Sequence, residues 1–177
     1  MAGDVGNIFL IGFMGSGKTT VGRLLAQLLG WDFVDLDENI ERRESMSIER
    51  IFEVQGEAYF RDLELRVLKD IAGKSRAVVA LGGGTPTHDA TWPLLRRHGI
   101  VVYLSCRAEE LYRRLQHDEN RPLLRRVPPE QRRLHIQQLL LQREPYYRRA
   151  GLVLDTGAYQ RPKDLAEAIA TFVREHA

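Results

Sequence analysis

The segment Gly-Phe-Met-Gly-Ser-Gly-Lys-Thr at residues 12–19 limits the possible folds of this chain more than any other feature. It fits the pattern Gly-x-x-x-x-Gly-Lys-[Ser/Thr] and lies between an apolar run, 8–11, and a segment with helical periodicity, 19–29. Glycines at these positions allow a tight turn in which successive N–H groups point at one anion, and the following helix directs its positive end at the same anion. The segment therefore predicts a loop that binds the phosphates of a nucleoside triphosphate.

Two side chains of this loop have specific chemistry. Lys18 can reach the β- and γ-phosphates, and the hydroxyl of Thr19 can bind Mg²⁺. The residues predicted to bind the nucleotide here are Gly15, Ser16, Gly17, Lys18, Thr19 and Thr20.

Short apolar runs alternate with helical patterns about five times along the chain. Runs that are apolar on both faces are typical of strands in a parallel sheet that helices cover on both sides. We therefore predict the α/β class and a three-layer α/β/α sandwich in one domain, 1–177. The five parallel strands are predicted at 8–11, 33–36, 77–81, 100–104 and 152–154.

Composition narrows the cellular setting. The net charge is +2, and no apolar stretch approaches the roughly 20 residues of a membrane helix, so we expect neither nucleic acid nor membrane as a partner. The single cysteine, Cys106, excludes an intrachain disulfide, and no signal-peptide pattern is present. We expect a cytoplasmic, monomeric protein.

Polar residues follow the second and third predicted strands. Because ligands of open parallel sheets bind at the carboxyl ends of strands, Asp35 and Asp37 are expected near the phosphates. If the strand extends through this point, both carboxylates share one face; one can hold Mg²⁺ and the other can orient or deprotonate an acceptor hydroxyl. The alternative is that one of them only caps the next helix. The three glycines at 82–84 favour a ligand close to the backbone, with a permissive turn as the alternative.

Arginines suit bidentate contact with a carboxylate or a phosphate. Arg61 and Arg143 lie near predicted helix ends, but taken singly each is better explained as a solvated surface residue, so charge alone does not select them. The segment 107–149 contains 11 arginines and no lysine.

Taken together, these motifs resemble the shikimate kinase family from residue 8 to about 172. The resemblance rests on the order and spacing of short segments: the phosphate loop, Asp-Leu-Asp (35–37), Ser-Ile-Glu-Arg-Ile-Phe (47–52), Gly-Glu-x-x-Phe-Arg-x-x-Glu (56–64), Gly-Gly-Gly (82–84), Arg-Pro-Leu-Leu (121–124) and Arg-x-Pro-x-Tyr-x-x-Ala (143–150). It implies a fold of the P-loop kinase type with a mobile lid at about 112–128 and a shikimate-binding segment at about 35–64. The implied activity is transfer of phosphate from MgATP to the 3-hydroxyl of shikimate.

The resemblance also implies individual roles. Asp35 would help to hold Mg²⁺, and Asp37 would bind the acceptor hydroxyls and act as the base. Arg61, braced by Glu64, and Arg143 would bind the shikimate carboxylate. The remaining implied contacts are Gly83 and Gly84 to shikimate, Arg121 from the lid to the phosphates, and Arg114 and Arg161 beside the adenine. Thr85-Pro86 departs from the small apolar residue that the resemblance leads us to expect.

Two other functions remain open from the residues. A kinase for gluconate or a nucleoside monophosphate would use the same phosphate loop. A ligand sensor without turnover would bind the same molecules but leave Lys18, Asp35 and Asp37 without a catalytic task.

Overall fold

The computed structural model describes residues 6–118 and 122–176. The strands are β1 (Asn7–Ile11), β2 (Asp32–Asp35), β3 (Ala77–Ala80), β4 (Gly99–Ser105) and β5 (Leu152–Asp155). The helices are α1 (Lys18–Leu29), α2 (Leu36–Glu44), α3 (Ile48–Ala72), α4 (Thr91–His98), α5 (Ala108–Leu115), α6 (Pro122–Arg125), α7 (Arg132–Tyr147) and α8 (Pro162–Glu175). Short 3₁₀ turns lie at Thr85–Thr87, Pro129–Gln131 and Thr156–Ala158.

The five strands form one parallel sheet in the order β2-β3-β1-β4-β5. β1 lies at its centre and pairs with β3 on one side and β4 on the other, as at Ile8, which is opposite both Val78 and Ile100. β2 and β3 therefore lie on one side of β1, and β4 and β5 lie on the other, so the strand order reverses beside β1. Ligand clefts form at such a point.

Alternate residues of the central strand face two separate cores. Ile8 and Leu10 pack with α1 and α8, whereas Phe9 and Ile11 pack with helices α2 to α5 and α7 on the other face. All four are fully buried, which explains the continuous apolar run in the sequence. The predicted three-layer α/β/α sandwich with a five-stranded parallel sheet is confirmed.

One local prediction differs from the structure. β2 ends at Asp35, so Asp37 lies in the first turn of α2 and the two carboxylates do not share a strand face. Gly56 has φ 85° and ψ 172°, so α3 consists of two helical segments that meet in a kink at this residue. The two prolines at 128–129 lead into a 3₁₀ turn, and α7 begins at Arg132.

None of the helices within the described ranges has both the length and the hydrophobicity needed to cross a bilayer.

Candidate active site

The phosphate loop connects the central strand to α1. Gly12, Gly15 and Gly17 have φ values of 150°, 78° and 97°, conformations that residues with a side chain rarely adopt. α1 begins directly after Gly17, and no side chain caps its first turn. The N–H groups at this helix start therefore remain available to an anion, as the sequence predicts.

Side chains that can act on phosphate and metal lie beside the loop. Lys18 Nζ donates to the carbonyls of Gly12 and Phe13 at 2.8 and 2.9 Å. Thr19 Oγ1 donates to Asp35 Oδ2 at 3.0 Å. The other oxygen of Asp35 accepts from the N–H of Glu38 at 3.2 Å and caps α2. The Asp35 carboxylate therefore caps α2 with one oxygen and accepts from Thr19 with the other.

The Asp37 carboxyl faces the same cavity as Lys18 from the start of α2. Burial raises its pKa from the ordinary 3.8 to about 6, and the charges of Asp35 and Glu64 add to this, while Lys18 acts in the opposite direction. A carboxyl with this pKa is mostly ionised at neutral pH and is more basic than an exposed aspartate. It therefore suits a general base.

The three glycines after β3 each make room for a different polar side chain. A methyl group placed on Gly82 would lie 2.9 Å from Asp37 Oδ1, one on Gly83 would lie 3.0 Å from Arg143 Nη1, and one on Gly84 would lie 3.1 Å from Arg61 Nη2. None of the three glycines has a positive φ. The close approach of these three side chains, and not a positive φ, therefore favours glycine at positions 82–84.

The two arginines predicted to bind a carboxylate meet at this loop. Arg61 Nη1 donates to Glu64 Oε2 at 2.9 Å, as predicted for the brace, and its guanidinium lies 5.1 Å from the centre of the Phe60 ring. Arg143 lies 5.8 Å from the centre of the Phe13 ring, within the phosphate loop. Arg143 therefore lies close to both the triple glycine and the phosphate loop, whereas Arg61 lies beside Gly84 and Glu64.

Two titratable groups beside the arginines are uncharged at neutral pH. Burial, and then the charge of Arg61, lowers the pKa of His88 below its ordinary 6.5, so its ring is neutral at pH 7. Burial raises the pKa of Tyr147 to about 12, and its hydroxyl donates to the carbonyl of Gly83 at 2.7 Å. Tyr147 belongs to the motif at 143–150, but its part in fixing the glycine loop could not be read from the sequence.

A cavity of about 490 Å³ joins the nucleotide side to Asp37. The predicted residues that line it are Gly15, Ser16, Gly17, Lys18, Thr19, Thr20, Asp35, Asp37, Gly83, Arg114 and Arg161. Arg114 also donates to the carbonyl of Gly15 at 3.0 Å, which fixes it against the loop. Arg121 lies outside the described residues, so its predicted place over the phosphates stays a prediction.

The donor set fits a magnesium ion bound mainly by phosphate and water. In the parts of the chain that the structure describes, no group of three or more His, Cys, Asp or Glu side chains is arranged to hold a metal. Thr19 and Asp35 instead bring a hydroxyl and a carboxylate oxygen together, and Mg²⁺ commonly takes one or two such ligands and completes its shell with phosphates and waters.

Fold and site together define a P-loop kinase: a phosphate loop on the central strand, a basic carboxylate opposite its lysine, and two arginines beside them. A family profile described as "SKI: Shikimate kinase" matches residues 14–174. The chain belongs to the shikimate kinase family.

Relatives from several organisms match over most of their length. A shikimate kinase of Chlorobaculum tepidum is 49% identical over 154 residues, which cover 84% of this chain and 81% of the relative. One from Nitrosospira multiformis is 40% identical over 172 residues, with 96% and 87% covered. The solved structure of Acinetobacter baumannii shikimate kinase in complex with shikimate superposes with a TM-score of 0.88 at 41% identity and covers 97% of this chain and 94% of that one.

A gluconokinase from Sinorhizobium meliloti shares the fold, with a TM-score of 0.59 at 19% identity over 98% of this chain and 94% of that one. At this identity the likeness extends to the fold alone.

Proposed function

We propose that this protein transfers the γ-phosphate of ATP to the 3-hydroxyl of shikimate, forming shikimate 3-phosphate and ADP for aromatic amino acid biosynthesis. The observation that carries the proposal is the triple glycine, against which the carboxylate of Asp37 and the guanidinium groups of Arg143 and Arg61 all pack. A base and a carboxylate-binding pair at one loop match an acceptor that has both a hydroxyl and a carboxylate. The relative from A. baumannii, crystallised with shikimate, supports the same acceptor.

Asp37 is the group that handles the acceptor proton. The acceptor oxygen forms a bond to the γ-phosphorus as the bond from that phosphorus to the oxygen bridging to the β-phosphate breaks, and ADP departs with the electron pair. Asp37, with its pKa near 6, accepts the hydroxyl proton at neutral pH. Lys18 stabilises the charge that develops on the transferred group.

Arg61 and Arg143 hold the acceptor by its carboxylate. A Cβ atom placed on Gly83 would lie 3.0 Å from Arg143 Nη1, and one on Gly84 would lie 3.1 Å from Arg61 Nη2, so a side chain at either position would crowd a guanidinium group. Gly83 and Gly84 thereby leave the acceptor ring access to the backbone. Positioning of this kind supplies a large share of catalysis in phosphoryl transfer, because the protein contributes little covalent chemistry.

Thr19 and Asp35 would hold Mg²⁺ together with the phosphates of ATP. When bound, the ion neutralises charge on the phosphates. We further propose that the segment 112–128 closes as a lid and brings Arg121 to the phosphates, that Arg114 and Arg161 flank the adenine, and that 35–64 binds shikimate. A lid of this kind would exclude water, which competes with the acceptor for the phosphoryl group.

Release of ADP, measured by enzyme coupling with a panel of acceptors, tests the proposal. Shikimate should support turnover, whereas gluconate and nucleoside monophosphates should leave ADP release at the background rate of ATP hydrolysis. Turnover with gluconate alone would reassign the acceptor, and tight shikimate binding without any ADP release would favour a sensor.

We also propose that the protein is a cytoplasmic monomer. Sedimentation velocity at micromolar concentration tests whether the protein is a monomer. The expected result is a single species near 20.3 kDa, the mass of one chain.

A further inference from the structure

Thr85 is the first residue after the triple glycine, and its side chain is fully buried. Its hydroxyl donates to Glu64 Oε1 at 2.5 Å. The other oxygen of Glu64 accepts from Arg61 Nη1 at 2.9 Å. A continuous series of hydrogen bonds therefore runs from Thr85 through Glu64 to the guanidinium that faces the proposed acceptor carboxylate.

The Thr85 hydroxyl occupies a fixed position because its turn is anchored on both sides. The N–H of Thr85 donates to the carbonyl of Gly82 at 3.1 Å, and its carbonyl accepts from the N–H of His88 at 3.4 Å. Trp92 Nε1 donates to the carbonyl of Pro86 at 2.8 Å and ties the same turn to α4. A threonine side chain adds only one stiff torsion to this backbone.

Glu64 depends on both of its hydrogen bonds. Its side chain is only 3% exposed, and each carboxylate oxygen has one of the two partners just described. Removing a hydrogen-bond donor from a buried carboxylate costs folding free energy unless another donor replaces it. Without Thr85, Glu64 Oε1 would turn toward another donor, and Arg61 is the cation within reach.

The other ion pair of Arg61 gives little positional control. Glu57 Oε1 lies 3.5 Å from Arg61 Nη2, but the Glu57 side chain is 67% exposed, and exposed pairs of this kind contribute little. The orientation of the guanidinium therefore comes from Glu64 and from packing on Phe60.

We propose that Thr85 is a positioning residue for the acceptor: its hydroxyl fixes Glu64 so that Arg61 presents one edge to the acceptor carboxylate and keeps the other for Glu64. This inference rests on the proposed function, because Arg61 has a carboxylate to bind only if the acceptor has one. The inference assigns a role to Thr85, which stands where the resemblance leads us to expect a small apolar residue.

A mutant cycle tests the inference with the ADP-release assay. Thr85→Val removes the hydroxyl at nearly constant volume and should raise the KM for shikimate about tenfold, the size of one hydrogen bond to a charged group, while the KM for ATP stays unchanged. Thr85→Ser should restore most of the loss. In an Arg61→Ala background, Thr85→Val should add nothing further, because Thr85 acts through Arg61. Thr171→Val, an exposed site on α8, serves as the control for loss of a threonine hydroxyl.

A neutral acceptor provides a second measurement. With the carboxamide of shikimate, wild type and Thr85→Val should have the same kcat/KM. Equal KM values for shikimate in wild type and Thr85→Val, or a tenfold effect that persists in the Arg61→Ala background, would overturn the inference. If Thr85→Val does not fold by circular dichroism, Thr85→Ala and Thr85→Ser give the same comparison. Failure of the proposed function would show in the wild type itself, as no ADP release with shikimate, and would overturn both.

Discussion

The ionised carboxyl of Asp37 should cost the folded protein stability at neutral and alkaline pH. Its pKa is raised from 3.8 to about 6, chiefly by burial and then by the charges of Asp35 and Glu64. A carboxyl with a higher pKa in the folded than in the unfolded chain binds its proton more tightly when folded. Its contribution to stability is therefore fully present below pH 3.8 and is lost as the pH rises through about 6. Asp37→Asn should remove this loss.

The size of the gain follows from the pKa and the position of the residue. At 1.36 kcal/mol per pH unit, the difference between 3.8 and about 6 corresponds to about 3 kcal/mol at pH 8. Asp37 is partly open to the cavity, so solvent screening reduces this value. Asp37 also lies in the first turn of α2, where the helix dipole stabilises its negative charge by about 0.3–1 kcal/mol. The neutral asparagine would lose this stabilisation. We therefore expect Asp37→Asn to raise the free energy of unfolding by about 1–2 kcal/mol at pH 8.

Urea unfolding of wild type and Asp37→Asn at pH 8 and pH 4 measures the effect. At pH 4 wild-type Asp37 is protonated in the folded state, so the gain should shrink to about 0.5 kcal/mol or less. Asp32→Asn, an exposed carboxylate on β2, is the matched control and should change stability little at either pH. Equal stabilities of wild type and Asp37→Asn at pH 8, or a gain that is as large at pH 4, would refute the electrostatic reasoning.

Four further outcomes are expected. The kcat/KM for shikimate should fall as the pH drops below about 6, because Asp37 must be ionised to accept a proton; a flat profile between pH 5 and 8 would exclude it as the base. Arg61→Ala should raise the KM for shikimate about 10–100-fold and change the KM for ATP little. Arg66→Ala, at an exposed position of the same helix, should leave the KM for shikimate unchanged. Equal effects of the two substitutions on this KM would contradict the proposed contact between Arg61 and the acceptor carboxylate. Gly82→Ala should lower kcat about tenfold or more by displacing the Asp37 carboxylate, seen in steady-state kinetics. Lys18→Met should abolish ADP release while circular dichroism stays that of the wild type.

The fold could be predicted from the sequence because the signals that determine it are local. A strand buried on both faces gives a run of apolar residues, as in β1, and Gly30 in a left-handed conformation ends α1 where the glycine stands in the sequence. The phosphate loop was predictable for the same reason, since its three left-handed glycines and its lysine lie within eight residues.

The parts that could not be predicted depend on contacts between distant residues. The end of β2 at Asp35 is set by pairing with Ala80 of β3, and this pairing places Asp37 in a helix although the sequence also permits a longer strand. The Thr85–Glu64 hydrogen bond joins residues 21 positions apart through the packing of α3 against the glycine turn. No periodicity or motif specifies such a contact.

The glycines at 82–84 explain why one short loop can serve two parts of the proposed reaction. Gly82 adjoins the proposed base, whereas Gly83 and Gly84 adjoin the two arginines. In the proposed reaction, the backbone of the loop therefore sets the distance between the acceptor hydroxyl and the acceptor carboxylate. Tyr147 holds the carbonyl of Gly83 and the turn at Thr85 holds the far end, so the loop is fixed at both sides of this span. An acceptor whose carboxylate and hydroxyl are separated differently would meet either the base or the arginines, but not both. Under the proposed roles of Asp37, Arg61 and Arg143, selectivity among small acids follows from the length of the loop, and the arginines need only recognise a carboxylate.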